Sequence, residues 1–362
     1  MKLAHYALYR YRLPLLRPLT LRGADASFRE GFILELETDT RTKGWGEVAP
    51  LPGLSSESPD QARQQICELA SAKLGHDMDA QAVWSRAYAP GSGLASSVRF
   101  GFESAWLDTL TRQAGLGLHA ALADESHASV PVNALLSDFS PASIEAVQQQ
   151  CAAGYNTVKV KVGRGPVREE ADALRHLLTQ LPEPSRFRLD ANRAWNVADA
   201  VWFARQVASP RIDYIEEPVR DTEDLYEFMG ESPIPAALDE TLVEQGGRAL
   251  RDFDGIGAAV LKPTLLGGLV STLSLAEAAW KNHVQPVISA TFETGIGTAA
   301  LAHLASAVQA PAAAAGLDTY RWLSEDIVDP PLDMAKGHID IEQLSRTLTF
   351  LRTDSLEKVA HG

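Results

Sequence analysis

Eight short apolar runs separated by segments of helical pattern fill the chain from Val130 onward. They are Val130–Leu135, Thr157–Val162, Arg186–Asp190, Asp213–Glu216, Ala236–Asp239, Ala258–Lys262, Val287–Ala290 and Ala312–Leu317. Apolar strands alternating with helices call for a parallel sheet covered on both faces, because parallel neighbours need a crossover between them. A closed barrel and an open doubly wound sheet both meet that description. No glycine-rich phosphate fingerprint follows the first run, and eight evenly spaced units favour closure. The 362 residues accommodate one barrel of about 200–250 residues and one smaller domain.

The first 128 residues read differently. Residues 2–13 and 31–38 have strand character, and Gly31-Phe-Ile-Leu-Glu-Leu-Glu37 alternates apolar and polar with period two. Helical patterns follow, one opening at Ser58-Pro59 and another running from about Ser96 to Arg112. Strands followed by helices predict an α+β domain over 1–128, ahead of a barrel over 129–319. The polar, mixed segment 320–362 is expected to pack back on the first domain.

Charge and composition exclude some roles. A formal net charge of -14 argues against a general nucleic-acid or anionic-membrane partner. A small anionic carboxylate substrate stays open, because local lysines and a metal ion can outweigh a weak global field. Cys67 and Cys151 have no metal-ligand or CxxC spacing and read as isolated thiols of a reducing compartment. Lys2, His5, Arg10 and Arg12 interrupt any apolar leader, and Lys262, Pro263 and Gly267-Gly268 interrupt the apolar stretch 258–280. The expected compartment is the cytoplasm, and composition leaves oligomeric state open.

The charged residues in the barrel runs carry the chemistry. Thr157-Val-Lys-Val-Lys-Val162 places Lys159 and Lys161 on one strand face. An edge strand with solvated lysines would explain them, but the flanking valines would then have to fill the core alone. Two like charges on one face should also depress each other's pKa. Three later strands end in acids, at Asp190, Glu216 and Asp239, spaced by 26 and 23 residues, about one strand–helix unit each. Each acid alone reads as a helix N-cap or an ion-pair partner. As a triple on successive strands they meet at the rim where barrel active sites sit, and would repel unless a cation held them. Oxygen ligands with room for water or substrate suit Mg²⁺ better than Zn²⁺. Glu217 and Glu240 lie beside these acids; strand alternation cannot turn both of a pair inward, so the first of each is assigned. The next strand ends in Lys262, which sets Lys161 and Lys262 across the barrel with the metal site between them. That geometry suits proton removal α to a carboxylate, with charge stabilisation of the enediolate.

At these residues the chain resembles the enolase superfamily, and within it the o-succinylbenzoate synthase family. The resemblance covers most of the chain. It runs through Gly44-Trp-Gly-Glu-Val-Ala-Pro-Leu-Pro-Gly53, Lys159-Val-Lys161-Val-Gly163 and Arg188-Leu-Asp190-Ala-Asn192-Arg-Ala-Trp195. It continues through Ile215-Glu216-Glu-Pro218, Leu238-Asp239-Glu240, Lys262-Pro-Thr-Leu-Leu-Gly-Gly268, Ile288-Ser289-Ala-Thr291-Phe-Glu293 and Gly316-Leu-Asp-Thr319. Ser289-Ala-Thr291 stands where the family pattern is more serine-rich.

The resemblance implies an α/β fold: a (β/α)7β TIM-like barrel with an N-terminal α+β capping domain completed by the C-terminal segment. It implies a lyase of menaquinone biosynthesis, dehydrating 2-succinyl-6-hydroxy-2,4-cyclohexadiene-1-carboxylate to 2-succinylbenzoate. Lys161 would be base and then acid, Lys262 the stabilising ammonium, and Asp190, Glu216 and Asp239 the ligands of Mg²⁺, with Mn²⁺ as a substitute. Lys159 and Asn192 would support them. Arg188, Ser289, Thr291 and Arg22 would touch substrate, under a lid around Arg22–Ser27.

Paired lysines suit racemisation of an N-acyl amino acid or epimerisation of a dipeptide equally well; the Pro-Leu-Pro-Gly motif and Arg188 tilt the reading toward dehydration. A Schiff-base enzyme would leave the acid triple without a role. Glycoside hydrolysis would leave the lysines without one. A non-catalytic barrel binding protein would be expected to have lost at least one of these groups, and all are present.

Overall fold

A computed structural model describes every residue except 22–23, 85–92, 182–184, 254, 348–350 and 354–355. The chain opens with a long antiparallel hairpin, β1 (Leu3–Leu21) and β2 (Ala24–Thr38), followed by β3 (Lys43–Val48). The C-terminal strand Glu357–His361 pairs antiparallel with β1 and makes the fourth strand of this sheet, so the chain's end completes its beginning. The Pro59–Ala72 helix starts as the sequence predicts. Ser58 and Gln61 cap each other reciprocally, and Pro59 stands where a helix needs no N–H. The Ser96–Gln113 helix is buried along nearly its whole length, packed between the sheet and the barrel.

The first predicted barrel strand splits in two. Residues Ser129–Pro131 (β4) pair antiparallel with His338–Asp340 of the C-terminal segment, and only Ala134–Leu136 (β5) enters the barrel. Six parallel strands follow in sequence order: β6 (Thr157–Lys161), β7 (Arg186–Asp190), β8 (Ile212–Glu216), β9 (Ala236–Leu238), β10 (Ala258–Leu261) and β11 (Gln285–Ile288). The eighth stave is short. Ala315 bonds with Pro131 and Asn133 on one side, and Gly316 bonds with Ile288 and Ala290 on the other, so residues 315–316 join the two edges of the curled sheet.

Helices follow each of the first seven staves, at Pro141–Ala153, Val167–Gln180, Val197–Val207, Leu225–Glu231, Glu240–Gln245, Leu269–Lys281 and Gly295–Ala307. Outward strand residues join the large core under these helices. Inward residues Tyr214, Ala237, Ala258, Val260 and Val287 form a separate small core inside the barrel. Among the described residues no helix is long and apolar enough to cross a membrane. Cys67 and Cys151 are free and half-buried.

Two buried carboxylates from the first domain cap barrel helices. Glu47 accepts from Thr294 N (2.9 Å), Thr294 Oγ1 (2.7 Å), Gly297 N (3.0 Å) and Tyr11 Oη (2.5 Å), at the start of the Gly295–Ala307 helix. Glu103 accepts from Val270 N (3.1 Å) at the start of the Leu269–Lys281 helix. Burial pushes the Glu47 carboxyl up to about 7 and Glu103 up to about 8. The Gly267-Gly268 pair makes room for this contact. A Cβ on Gly268 would lie 2.3 Å from Glu103 Oε2, and one on Gly267 would lie 1.9 Å from Arg99 Nη2. These helices follow the strands that lead to Lys262 and Ser289, so the first domain holds this end of the barrel through their N-termini.

Candidate active site

Strand register sets the geometry. Lys161 lies level with Asp190 on β7, and Asp190 level with Glu216 on β8. Asp239 follows β9 and Lys262 follows β10, so all five rise at the C-terminal rim, with Lys159 one layer lower. The side chains form a ladder of alternating charge. Lys161 Nζ donates to Asp190 Oδ2 (2.6 Å) and Asn192 Oδ1 (2.8 Å). Lys159 Nζ bridges Asp190 Oδ2 (2.8 Å) and Glu216 Oε1 (2.8 Å), and Lys262 donates to Asp239 Oδ2.

These contacts reverse one sequence expectation. Lysines on one face were expected to depress each other. Burial does work to lower the Lys159 ammonium, but Asp190, Glu216 and Asp239 outweigh it and hold its pKa well above the usual value. Lys262 is likewise raised, with Asp239 overcoming the effect of burial. Burial opposes ionisation of Asp190, yet Lys159 and Lys161 hold it well below the ordinary carboxylate range. Glu216 goes the other way, raised by burial and by Asp190 beside it.

The acids reach the rim as expected, but they do not already form a ligand set. Among the described residues no three His, Cys, Asp or Glu side chains stand in metal-binding geometry. Ammonium groups stand between the acids instead, because a buried carboxylate takes the nearest available cation. The residues nevertheless fit a hard divalent cation. Among the described residues Glu216 Oε2, although 2.7 Å from Lys159 Nζ, has no well-aligned hydrogen bond, and the buried Glu240 Oε2 has no hydrogen-bond partner. Three ammonium groups face four carboxylates, all with oxygen donors, which is the donor chemistry Mg²⁺ takes.

Glu240 was passed over in the sequence. Strand alternation stops at Leu238, so the rule that turned Glu240 away no longer applies one residue into the following helix. Glu240 lines the cavity, with its carboxyl pushed up to about 7 by burial and Asp239. Glu217 is turned aside as expected. It accepts from Asp239 N (2.9 Å), Thr241 N (2.8 Å) and Arg193 Nε (2.9 Å), and thereby fixes the backbone that carries Asp239. Asn192 (φ 45°), Arg193 (φ 61°), Glu217 (φ 42°) and Phe292 (φ 63°) adopt left-handed backbone conformations at this rim, which is the strain that clusters at functional sites.

Above the ladder lies a cavity of about 420 Å³, lined by Lys159, Lys161, Lys262, Asn192, Ser289 and Thr291 among others. Leu19, Leu51 and Leu54 of the first domain roof it, so the Pro-Leu-Pro-Gly motif supplies an apolar ceiling. Among the described residues the Ser289 hydroxyl makes only a long contact to Gly316 O (3.4 Å), whereas the Thr291 hydroxyl is committed to Glu293.

Arg188 does not line this cavity. It points into the barrel below the site, donating to Ala314 O (2.5 Å) over the Tyr214 ring, because it stands one inward layer beneath Asp190. Arg22 lies outside the described residues, as does Gly23 of the expected lid, while Ala24–Ser27 begin β2.

Comparison with known proteins agrees with this arrangement. Residues 142–345 match the family model for the enolase C-terminal domain-like fold, and residues 3–109 match the MenC N-terminal domain. An o-succinylbenzoate synthase from Pectobacterium atrosepticum is 34% identical, over 93% of this chain and 97% of that relative. Among solved structures, the dipeptide epimerase of Enterococcus faecalis complexed with Mg and L-Leu-L-Tyr superposes with a TM-score of 0.84 at 22% identity, covering 94% of this chain and 97% of the other. Muconate lactonizing enzyme of Pseudomonas fluorescens superposes with a TM-score of 0.83 at 23% identity, covering 99% and 96%. These two likenesses speak for the fold. The matches to both family models and the 34% identical relative aligned over nearly the whole chain establish that the chain is an enzyme of the enolase superfamily and belongs to its o-succinylbenzoate synthase family.

Proposed function

We propose that the protein dehydrates 2-succinyl-6-hydroxy-2,4-cyclohexadiene-1-carboxylate to 2-succinylbenzoate. The observation that carries this reading is the ladder Lys161–Asp190–Lys159–Glu216 with Asp239–Lys262 completing the rim under one cavity. A relative of that name, aligned over both domains, supports the choice of substrate.

Asp190, Glu216 and Asp239 would hold Mg²⁺, with Glu240 near enough to contribute. Bound there, the cation would supply Lewis-acid stabilisation of charge gathering on the substrate carboxylate. The chain's own residues do the rest. Lys161 takes the proton α to the carboxylate. Lys262 is held protonated by Asp239 and stabilises the enediolate from the other wall. Lys161, now an ammonium, returns its proton to the departing hydroxyl, so water leaves and the ring becomes aromatic. Lys159 stays charged and keeps Asp190 and Glu216 together. The leucine ceiling excludes water from the enediolate.

A second reading is racemisation or epimerisation of an N-acyl amino acid or dipeptide, favoured by lysines at both ends of the ladder and by the epimerase fold likeness. Purified protein should be assayed on the cyclohexadiene substrate beside an N-succinyl amino acid, after EDTA treatment and again with Mg²⁺. Metal-dependent dehydration is expected. Fast racemisation without dehydration would reject the first reading, and metal-independent turnover would reject the ligand assignment.

A further inference from the structure

Most cations at the cavity are matched by acids. Lys159, Lys161 and Lys262 belong to the ladder, and Arg193 is paired with Glu217 and Glu244. Arg164 is different. It lines the cavity from the loop after β6, and its hydrogen bond goes to a neutral group, Ser137 O (2.9 Å). A second guanidinium comes to the same serine from the first domain. Arg17 Nη1 donates to Ser137 Oγ (2.8 Å) and lies over the Trp322 ring at 3.8 Å, and Ser137 and Trp322 both line the cavity. Among the described residues neither arginine has an acid within salt-bridge distance.

Like charges gathered on one serine repel. The Arg17 guanidinium is lowered first by burial, and Arg164 adds to the effect. The acids nearby are engaged elsewhere. Asp138 accepts from Ser140 N (2.9 Å) and Ser137 Oγ (3.1 Å), and Asp318 is paired with Arg321 (3.2 Å) and accepts from Leu135 N (3.2 Å). Both acids attract Arg17 from beyond contact, yet neither closes on either guanidinium. Two guanidinium forks gathered on one cavity-lining serine, Arg164 on the cavity wall and Arg17 stacked on the lining Trp322 ring, are an arrangement that recognises a planar carboxylate. Leu19, Leu51, Leu54 and Leu135 line the same cavity. A ligand with an apolar body and two anionic ends fits that lining.

We propose that Arg17 and Arg164, gathered by Ser137, form a second carboxylate subsite, so that the cavity selects a dianion with one carboxylate at the ladder and another on a flexible arm. The inference deepens the proposed function and rests on it for the identity of the arm, a succinyl group. It also adds a role for β1: the first domain supplies half of the subsite, and correct seating of the hairpin is part of substrate selection.

The test compares 2-succinylbenzoate with 2-butanoylbenzoate, which keeps the skeleton and lacks the distal carboxylate. Binding to the full chain with Mg²⁺ is measured by calorimetry for the unaltered protein, Arg17→Met, Arg164→Met, the double variant and Arg164→Lys. The unaltered protein should prefer the succinyl compound by roughly tenfold to a hundredfold, the scale of one or two charge-assisted contacts. That ratio should fall toward one in the double variant and recover in part in Arg164→Lys. Because the ratio is read within each variant, a general loss of stability moves both affinities together and leaves it unchanged. A preference that survives the double substitution overturns the proposal, as does an unaltered protein without preference. If neither benzoate binds, the dehydration reading falls instead, and N-succinyl- against N-butanoyl-phenylglycine decides the subsite by the same ratio.

Discussion

Replacing Gly268 by alanine should disrupt the joint between the two domains by two separable routes. The residue has φ 103° and ψ -179°, a region open essentially to glycine, so a side chain there costs about 1–3 kcal/mol. The new Cβ would also stand 2.3 Å from Glu103 Oε2, which must move off the Leu269–Lys281 helix. Moving it leaves buried N–H groups at Leu269 and Val270 without their acceptor, at about 1–3 kcal/mol each. The single substitution should therefore cost about 3–9 kcal/mol, against about 2–6 kcal/mol for Glu103→Ala alone. In the Glu103→Ala background only the backbone strain remains, so the double variant should be more stable than the sum of the two by the acceptor loss otherwise counted twice, about 2–6 kcal/mol. Urea unfolding followed by circular dichroism on all four proteins measures this coupling. Additive costs would refute the steric account of the glycine.

Three further outcomes are expected. Lys161→Ala should lose roughly 10²–10⁴-fold in turnover, the scale of a removed general base, with circular dichroism unchanged; near-normal turnover places the base elsewhere. Glu47 has its folded pKa pushed up to about 7 from an ordinary 4.5, so folding takes up a proton between those values. Its contribution is present below pH about 4.5 and lost as pH rises through about 7, and the stability slope across that window should flatten in Glu47→Gln. His303 has its folded pKa lowered to about 3 by burial and by His119, whose Nδ1 lies 3.1 Å from its own. Folding here releases a proton, so stability should fall as pH drops from about 6.5 toward 3, and His303→Gln should blunt that acid limb in thermal melts.

The barrel ladder was legible because it depends on two short-range rules. Alternation along Thr157–Lys161 turns both lysines inward, and spacings of one strand–helix unit put Asp190, Glu216 and Asp239 on successive staves. What lay beyond those rules was missed. Glu240 stands past the end of its strand, where alternation stops. Arg188 obeys alternation but, two residues before Asp190 on the same strand, sits one inward layer below the rim. Arg17 and Arg164 are 147 positions apart in the chain and meet only because the hairpin leans over β5 and β6. The direction of the Lys159 shift failed for a related reason: a count of charges on one strand omits the acids facing it across the barrel.

Glu47 and Glu103 also bear on the order in which the chain is made. Both acids leave the ribosome well before residues 269–297, whose backbone N–H groups they will accept. During that interval they sit in water as ordinary ionised carboxylates. Closure of the two halves must then strip that hydration and draw protons onto sites displaced to about 7 and about 8. Nascent chains held at alkaline pH should therefore complete this last docking least readily, even with every strand and helix already formed.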